Sequence, residues 1–335
     1  MPMDNASMPC RTTRHCDSRW RMAELTQQMT QQTPDQTTRR IRRPDAAPAM
    51  GRIVVGFAGP AALVGLITLV LPLIAVVALA FTDYRLGAKT LSFIGLDNFA
   101  DLAGDDVFRK SFAHTLMYSA IVVPVSTVAG LGLALLINAQ SSWRSFYRTL
   151  HFLPVMAATI AIAIVWEFML HPSFGLVNLL LAKVGIVGPR WLEDPATALL
   201  SLAIIGVWQM TGFNMVLFLT GLTGISPQYH EAASIDGAGR AWDRFWLVTW
   251  PMLRPITAFV LVISVIRSFQ LFETVYVITG GGPQKSTEVL LFTMFSEAFV
   301  FFRAGRGAAV AVVFLALVGV LTWLKFRFVN RRGAA

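Results

Sequence analysis

Residues 53–82 form a run of thirty residues without one charged side chain. Since a helix needs about 20 apolar residues to cross the hydrocarbon core of a bilayer, this run is long enough for a transmembrane helix. Five more apolar segments follow, at about residues 115–139, 152–170, 198–222, 256–278 and 307–324. The sequence therefore predicts an all-α membrane protein, with six transmembrane helices within residues 53–328 and both termini on one side of the membrane.

The composition of the 335 residues agrees with this prediction. Of these residues, 55% are hydrophobic and only 14% are charged, which is more apolar than an ordinary soluble domain. The net charge of +9 could indicate nucleic-acid binding, but nine of the 28 basic residues lie in the first 52 positions and most others flank apolar segments. Because that distribution is typical of membrane proteins, we expect contact with membrane lipid and none with nucleic acid.

The N-terminal region, residues 1–52, is rich in Gln, Thr, Arg and Pro and shows no helical pattern of apolar residues. It is predicted to be a disordered cytoplasmic tail. It does not resemble a cleaved signal peptide, because the apolar run comes too late and is too long. Met22 or Met50 would serve equally well as the first residue. Two thiols and one imidazole in this tail fall short of a zinc site, and residues 329–335 form a short C-terminal tail.

The distribution of Lys and Arg predicts the orientation in the membrane. Without the four most distal arginines of the tail, the termini and the loops at 140–151 and 226–255 hold 14 basic residues, and the other three loops hold 9. Cytoplasmic segments carry the excess of basic residues. Both termini and the 226–255 loop are therefore predicted to be cytoplasmic.

The 226–255 loop is a polar segment between the fourth and fifth apolar segments. Ser226 followed by Pro227 is a typical helix start, with a hydroxyl cap and a proline at the first helical position. Residues at every fourth position after this start would share one face of the helix. They are Tyr229, Ala233 and Gly237.

Two glycines should end this first helix, and two prolines should end a second one. Gly237 and Gly239 are predicted to form the break. A short helix over residues 240–250 should then stop at Pro251 and Pro255. The loop is thus predicted to be a helix-turn-helix at the membrane surface.

The loop reads Glu231-Ala232-Ala233, three residues, Gly237, ten residues, and then Val248-Thr249-Trp250-Pro251. This pattern resembles the EAA loop of ABC-importer permeases, in which nine residues separate the glycine from a final I-x-L-P. Here Val and Trp replace Ile and Leu, and the one extra residue is placed in the turn. The first helix is expected to be kept, while the angle of the second helix is left open.

The resemblance extends over residues 53–328 to the carbohydrate-type permeases, similar to the larger permease subunit of the maltose system. Three further strings carry it, at residues 93–102, 145–154 and 272–283. It implies the type I ABC-importer permease fold in a bacterial inner membrane. It also implies four kinds of partner: a second homologous permease, two cytoplasmic ATPase subunits, an extracytoplasmic substrate-binding protein and membrane lipid.

By this resemblance, the loop couples the permease to the ATPase. The implied coupling residues are Glu231, Ala232, Ala233, Asp236, Gly237 and Pro251. Glu231 is expected in the first turn of the helix, where its charge would favour the helix dipole. The alternative is an amphipathic connector lying on the lipid surface, which would explain Trp242, Phe245 and Trp246 but not the small residues Ala233 and Gly237.

The chain itself is not expected to be an enzyme or to hold a cofactor or metal. A phosphate-binding loop needs a glycine before its Lys-Ser/Thr ending, and the nearest matches, at residues 87–90 and 283–286, lack that glycine. No metal-ligand cluster or nucleophile–base set appears in the apolar segments. ATP is therefore expected to bind a separate subunit.

Polar residues within the apolar segments are candidates for the substrate path, because a charge in the bilayer centre is costly and usually faces a cavity. Arg267, Gln270 and Glu273 are spaced to lie along one side of the fifth helix. The full candidate set is Trp208, Gln209, Asn214, Arg267, Gln270, Glu273 and Tyr276. Gln270 and Asn214 are the preferred contacts. The alternative is that these residues join helices, with an Arg267–Glu273 ion pair.

The sequence thus predicts a permease subunit of an ATP-driven, binding-protein-dependent importer for a sugar or related polyol or sugar phosphate. The alternative function is an ion-coupled secondary transporter of a small polar solute. Against it, few charges lie within the apolar segments, and no inverted repeat or unwound helix pair is apparent. Residues 280–283 and the 93–102 string are expected outside the cell, and the resemblance implies that they help to receive the binding protein. The alternative, which the sequence leaves open, is that they are plain loops whose glycines are needed for the backbone conformation.

Overall fold

The computed structural model describes residues 58–139 and 143–330, with side chains as far as Trp323. The predicted N-terminal tail and residues 331–335 lie outside the described residues. Regular structure in the described part is helical apart from one bridge between Thr82 and Phe93. The helices, numbered in chain order, are α1 (Ala58–Leu79), α2 (Asp97–Gly104), α3 (Asp106–Ala139), α4 (Arg144–Met156), α5 (Thr159–Met169), α6 (Leu176–Lys183), α7 (Pro195–Thr223), α8 (Pro227–Ile235), α9 (Ala241–Arg244), α10 (Trp250–Phe269), α11 (Glu273–Ile278), α12 (Leu290–Phe295) and α13 (Ala304–Asn330).

Within the described residues, five helical segments are long and apolar enough to cross a membrane. They are Ala58–Leu79, Asp106–Ala139, Pro195–Thr223, Ala241–Ile278 and Ala304–Trp323. A sixth span exists if α4 and α5 are taken together, although the two are bent by 97° relative to each other. The six predicted segments are therefore found, but the third is a broken span.

The break in the third span corrects the prediction of one helix over residues 152–170. Ala157 and Ala158 both have extended backbone, with ψ of 150° and 128°. The part before the break, α4, packs closely on α7, where a Cβ at Gly212 would come within 2.0 Å of the His151 carbonyl oxygen. If the helix continued straight beyond residue 156, residues 159–169 would point in a different direction and α5 would not pack against the other spans as it does.

The chain divides into a unit that ends at Ile67 and a unit that begins at Thr68. The described part of the first unit, residues 58–67, comprises the opening turns of α1, and most of its side chains are exposed. Exposed apolar side chains are expected on a transmembrane helix, because lipid takes the place of water.

Within the second unit, α3, α7 and α10 form the central packing. Their buried apolar residues are Ala134, Ile137, Met215, Phe218, Leu219, Leu253 and Val260. The backbones of α3 and α7 approach closely at Gly130, where a Cβ would come within 2.7 Å of Asn214 Cβ. Small residues permit such approaches between helices in membranes, where packing rather than the hydrophobic effect drives association.

A second apolar cluster joins α3 and α7 to the segment around α11, through Tyr118, Leu202 and Val275. A third joins the end of α1 to α2, α12 and α13, through Ala80, Leu102 and Val310. Helix α3 contributes residues to all three clusters or packs against them. It therefore connects the packing of the second unit along its length.

The loop predicted over residues 83–112 contains α2 and the first turns of α3. Within the 93–102 string, buried Asn98 donates through Nδ2 to the carbonyl oxygens of Ala80 and Thr82, at 2.9 and 2.8 Å. Gly95 has a φ of +63°. This string therefore supplies hydrogen bonds to backbone carbonyls in the segment that follows α1.

The fifth span also differs from its prediction. α10 ends at Phe269, residues 270–272 are not helical, and α11 begins at Glu273. Gln270 is the C-terminal cap of α10, with φ and ψ of −82° and 16°. The prediction of one continuous helix over residues 256–278 is therefore wrong. The span is interrupted at residues 270–272, a break that the sequence did not reveal.

Candidate functional site

The first arm of the 226–255 loop is helix α8. Ser226 is its N-cap and Pro227 its first residue, as predicted, but the Ser226 side chain makes no capping hydrogen bond. The first turn contains no acidic residue, so the predicted effect of Glu231 on the helix dipole is wrong. Glu231 is instead the fifth residue of α8, and its side chain is exposed.

α8 ends in a Schellman motif built around Gly237. The Ala238 N–H donates to the Ala233 carbonyl at 2.9 Å, and the Gly237 N–H donates to the Ser234 carbonyl at 3.3 Å. Gly237 has a φ of +96°, a conformation in which a side chain is strained. The predicted break at Gly237 is confirmed. However, Gly237 lies beyond the helix and does not extend the face formed by Tyr229 and Ala233.

The second arm is continuous with the fifth span. α9 is followed by a π-helical turn, Phe245–Thr249, and then directly by α10. Pro251 lies in the first turn of α10 and Pro255 lies inside it. The prediction that these prolines end the second helix is therefore wrong. Proline is tolerated in a first turn, and the π turn before Pro251 already changes the bonding pattern of the backbone.

Four aromatic rings of the second arm pack on one another. The Trp242 ring lies 6.0 Å from Phe245 and 5.7 Å from Trp246, and the Trp246 ring lies 6.0 Å from Trp250. Trp242 and Trp246 remain largely exposed. The second arm thus presents an aromatic surface, whereas α8 presents a mixed one, with Tyr229 and Ile235 exposed beside its polar side chains.

Most of the predicted coupling residues are accessible. Glu231, Ala232, Asp236 and Gly237 are exposed, and Ala233 and Pro251 are half-buried. The turn between the arms is anchored by Ala238, which is 4% exposed. A fixed turn with exposed residues before it is a suitable surface for a protein partner.

Two grooves flank the loop. One, of about 410 Å³, lies at the turn between Asp236, Trp242, Asp243 and Trp246. The other, of about 500 Å³, lies between α8 and the ends of the neighbouring spans; its polar lining includes Asn138, Arg144, His230, Glu231 and Arg244.

On α7, the predicted path residues have different surroundings. Trp208 is exposed and packs edge-on against Trp166, with ring centroids 5.5 Å apart. Gln209 is half-buried. Asn214 is fully buried: its Nδ2 donates to Ser126 Oγ at 3.2 Å, and its Oδ1 accepts from Ser264 Oγ at 3.0 Å. The position of Asn214 favours the alternative role, in which it joins helices, although its contact with substrate stays a prediction.

The other path residues lie around the break in the fifth span. The Arg267 guanidinium lies over the Phe213 ring, 3.9 Å from its centroid. Gln270, Glu273 and Tyr276 are exposed. Arg267 and Glu273 do not form an ion pair, although the structure describes both. The i,i+3 stripe expected from one continuous helix is therefore interrupted, since Arg267 lies in α10, Gln270 caps that helix and Glu273 begins α11.

Aromatic rings continue from the break toward α12. Phe272 stacks with Tyr276 at 5.6 Å between centroids and packs against Phe295 at 5.2 Å. Phe295 packs in turn against Phe299 at 5.6 Å. The surface next to Gln270 and Glu273 thus combines hydrogen-bonding groups with exposed aromatic rings.

At the opposite end from α8, the turn over residues 280–283 is held by specific contacts. Gly280 and Gly281 have φ of +55° and +85°, and Thr287 Oγ1 donates to the Gly282 carbonyl at 2.7 Å. The structural reading of residues 280–283 as a turn that needs glycine is therefore confirmed. Their contact with a binding protein stays a prediction.

Sequence reasoning missed an ionic cluster at this end. Arg306 pairs with Asp105 and lies 3.6 Å from Glu297, which also pairs with Arg303 at 2.9 Å. Glu297 is buried. The signal was the unusual occurrence of one glutamate and two arginines within ten residues just before the last apolar segment.

Sequence reasoning also missed serines that join the spans. Besides Ser126 and Ser264, Ser119 and Ser268 share a hydrogen bond of 2.7 Å between α3 and α10. Within residues 58–139 and 143–330, no group of three His, Cys, Asp or Glu side chains could hold a metal ion. The polar chemistry of these spans is one of hydroxyls and amides.

Comparison with known proteins decides the family. Residues 126–333 match the family model described as "Binding-protein-dependent transport system inner membrane component". The chain belongs to this family. It is a multi-pass inner-membrane permease of the carbohydrate ABC-importer type, and the family is one of transport components rather than enzymes.

Relatives of this permease include the sn-glycerol-3-phosphate transport system permease protein UgpA of Agrobacterium fabrum. It is 34% identical over 242 residues, which is 72% of this chain and 82% of UgpA. The probable ABC transporter permease protein YesP of Bacillus subtilis is 37% identical over 263 residues, covering 77% of this chain and 84% of YesP.

Among solved structures, the permease is similar to a chain of a bacterial ABC transporter involved in the import of the acidic polysaccharide alginate. The TM-score is 0.75 at 23% identity, with 84% of this chain and 96% of that chain covered. A second structure of that transporter contains an alginate pentasaccharide-bound periplasmic protein. At this identity the likeness shows the fold, which is the predicted ABC-importer permease fold.

Proposed function

We propose that this permease is one transmembrane subunit of an ATP-driven, binding-protein-dependent importer for a sugar or a related polyol or sugar phosphate. It would pair with a second, homologous permease and with two ATPase subunits, and a binding protein would deliver the solute. Its relatives support this proposal, since UgpA is named for sn-glycerol-3-phosphate transport. The proposed orientation places both termini and the 226–255 loop in the cytoplasm.

The observation that carries the proposal is the continuity between the loop and the fifth span. α9, the π turn and α10 follow one another without a break from Ala241 to Phe269. α8 is joined to this rod through the turn at Gly237, which the Schellman bonds fix. If an ATPase displaced α8, the continuous helical segment from Ala241 to Phe269 would therefore move with it as a rigid body.

The far end of this rod is where the candidate solute contacts lie. α10 ends next to Gln270, and Glu273 and Tyr276 follow within two turns. A sugar requires hydrogen-bonding groups for its hydroxyls and aromatic faces for its C–H surface, and both occur at this break. Movement of the rod would change the separation between these groups and Trp208 on α7, which is the requirement for alternating access.

The energy source can be tested directly. The permease is co-expressed with its partner subunits, and uptake of labelled sugars and polyol phosphates is measured in cells. We expect uptake to stop when ATP is depleted and to continue when a proton uncoupler is added. Uptake that the uncoupler abolishes while ATP persists would favour the ion-coupled transporter instead.

The coupling role can be tested with Glu231→Lys, which reverses the charge of an exposed residue on α8. We expect loss of uptake and loss of ATPase co-purification, with normal insertion into the membrane. Glu193→Lys, a charge reversal at an exposed residue just before α7, is the matched control and should retain both. Wild-type uptake in the Glu231→Lys variant would refute the coupling role.

A further inference from the structure

The two arms of the 226–255 loop differ in chemistry. α8 is short, carries the small residues Ala232 and Ala233, and exposes polar side chains beside Tyr229 and Ile235. The second arm exposes Trp242, Trp246 and Leu247. Large exposed aromatic side chains are characteristic of the membrane interface, where one side of the ring meets lipid and the other meets headgroups.

The groove between α8 and the neighbouring helices lies where three apolar segments begin or end, and in a bilayer the ends of such segments meet the lipid headgroups. α3 ends at Ala139, α7 ends at Thr223, and α4 begins at Arg144. Residues from these three ends, Asn138, Arg144 and Thr223, line the groove together with His230 and Glu231 of α8. The groove is thus the space between the loop and the membrane-spanning helices.

Two guanidinium groups face this groove without a carboxylate partner. Arg144 donates through Nη2 to Asn138 Oδ1 at 2.9 Å, which leaves its charge uncompensated. Neither Arg144 nor Arg244 occurs among the ion pairs formed by the described residues. Glu231 is the one carboxylate in the lining, against the two guanidinium groups, so the groove carries a net positive charge.

Exposed aromatic side chains lie close in sequence to both arginines. Trp143, the N-cap of α4, and Phe146 lie on either side of Arg144, and both are exposed. Trp242 and Trp246 lie two residues before and after Arg244; their rings pack together and line the groove at the turn. A ligand with an anionic head and apolar chains would match this arrangement of central charge and flanking rings.

We propose that this groove binds the headgroup of an anionic phospholipid, with the Arg144 and Arg244 guanidinium groups holding the phosphate. Arginine presents planar, paired donors that match phosphate oxygens. The acyl chains would lie along the flanking aromatic side chains. The bound lipid would fill the space between α8 and the span ends and so hold the loop at a fixed height above the membrane.

The proposal can be tested by native mass spectrometry of the purified full chain, titrated with phosphatidylglycerol or phosphatidylcholine. A guanidinium that holds the lipid phosphate in the groove should contribute about a fivefold preference for anionic lipid, which is the scale of one basic residue at an anionic surface. Arg144→Gln/Arg244→Gln should therefore bind phosphatidylglycerol about 30-fold more weakly than the unaltered protein, with phosphatidylcholine binding unchanged. The double variant Arg144→Lys/Arg244→Lys keeps both charges and should retain most of the preference.

The matched control is Arg148→Gln/Arg254→Gln, which removes two exposed arginines outside the groove, one on α4 and one on α10. It should bind phosphatidylglycerol as the unaltered protein does. Equal loss in the control, or equal binding of the two lipids, would overturn the proposal. Displacement of the lipid by millimolar inorganic phosphate would assign the groove to a soluble anion. Loss of ATPase co-purification without loss of lipid binding would assign it to the protein partner.

Discussion

Ser264 donates a hydrogen bond of 3.0 Å to Asn214, and this bond joins α10 to α7 in the fully buried centre of the structure. Asn214 in turn donates to Ser126 on α3. One amide group therefore holds three spans, at the level where the backbones of α3 and α7 come closest. Because the fifth span is proposed to move, this contact limits the direction in which it can do so.

Asn214→Ala should destabilise the fold rather than weaken solute binding. Interhelical hydrogen bonds in membranes contribute about 0.6 kcal/mol each, up to about 1.7 kcal/mol. The loss of two should lower the free energy of unfolding by about 1–2 kcal/mol, measured by denaturant titration in detergent. Gln209→Ala, at a half-buried residue on the same helix, should stay within about 0.5 kcal/mol. A raised KM for uptake with unchanged stability in Asn214→Ala would show that the residue contacts solute.

Gly237→Ala should impair coupling because of its backbone conformation alone. No atom lies within 4 Å of a Cβ placed at Gly237, but φ is +96°, and that conformation costs an alanine about 1 kcal/mol. We expect reduced uptake and faster hydrogen exchange at the Ala238 amide. Gly239→Ala is the control, since its position is equally open and lacks the positive φ. Equal effects of the two substitutions would contradict the role of the Schellman motif.

Arg306→Gln should be far more destabilising than Arg109→Gln. Arg306 and Asp105 have side chains that are 17% and 25% exposed, whereas Arg109 and Asp106 are 64% and 77% exposed. Removing one partner of a buried pair costs several kcal/mol, but Arg303 would still neutralise Glu297, so we expect about 2–3 kcal/mol. The exposed pair should contribute less than about 1 kcal/mol. Thermal unfolding of both variants in detergent would measure the difference.

Glu288 should make stability depend on pH. Burial raises the pKa of this carboxyl from its ordinary value of 4.5, with Lys285 and Thr293 opposing the rise. The folded protein therefore keeps this proton to a higher pH than the unfolded chain does, and stability should fall as pH rises above about 4.5 through the raised pKa. Glu288→Gln should flatten this dependence and be the more stable protein at neutral pH. Exposed Glu193→Gln serves as the control for loss of one charge.

Length and local chemistry made much of the fold predictable. The apolar segments can be identified from composition because a bilayer requires a minimum length. Gly237 could be identified as a break because glycine adopts a conformation that other residues avoid. The EAA pattern identified the family from a few residues at fixed spacing.

Tertiary packing explains what the sequence could not predict. Nothing in the apolar sequence around Gln270 marks a helix end, and the break depends on the burial of Phe269 and Leu271 against other spans. Pro251 and Pro255 have a strong local preference against helix, yet the surrounding helix is kept. A polar residue within an apolar segment, such as Asn214, is expected both in a solute path and in a contact between helices. Only its neighbours in the structure distinguish these two roles.

The π turn at Phe245–Thr249 has a consequence for the length of the loop. Such a turn closes through a hydrogen bond from residue i+5 to residue i, here from the Trp250 N–H to the Phe245 carbonyl, and so takes up one residue more than an α turn. That is the number by which this loop exceeds the spacing of the EAA pattern, so the π turn would accommodate the extra residue that the sequence pattern alone placed in the turn after Gly237. A deletion here would leave the downstream helix in phase, whereas one inside α10 would rotate everything beyond it by about 100°. Evolution can therefore lengthen or shorten the rod at this point without misaligning its membrane end.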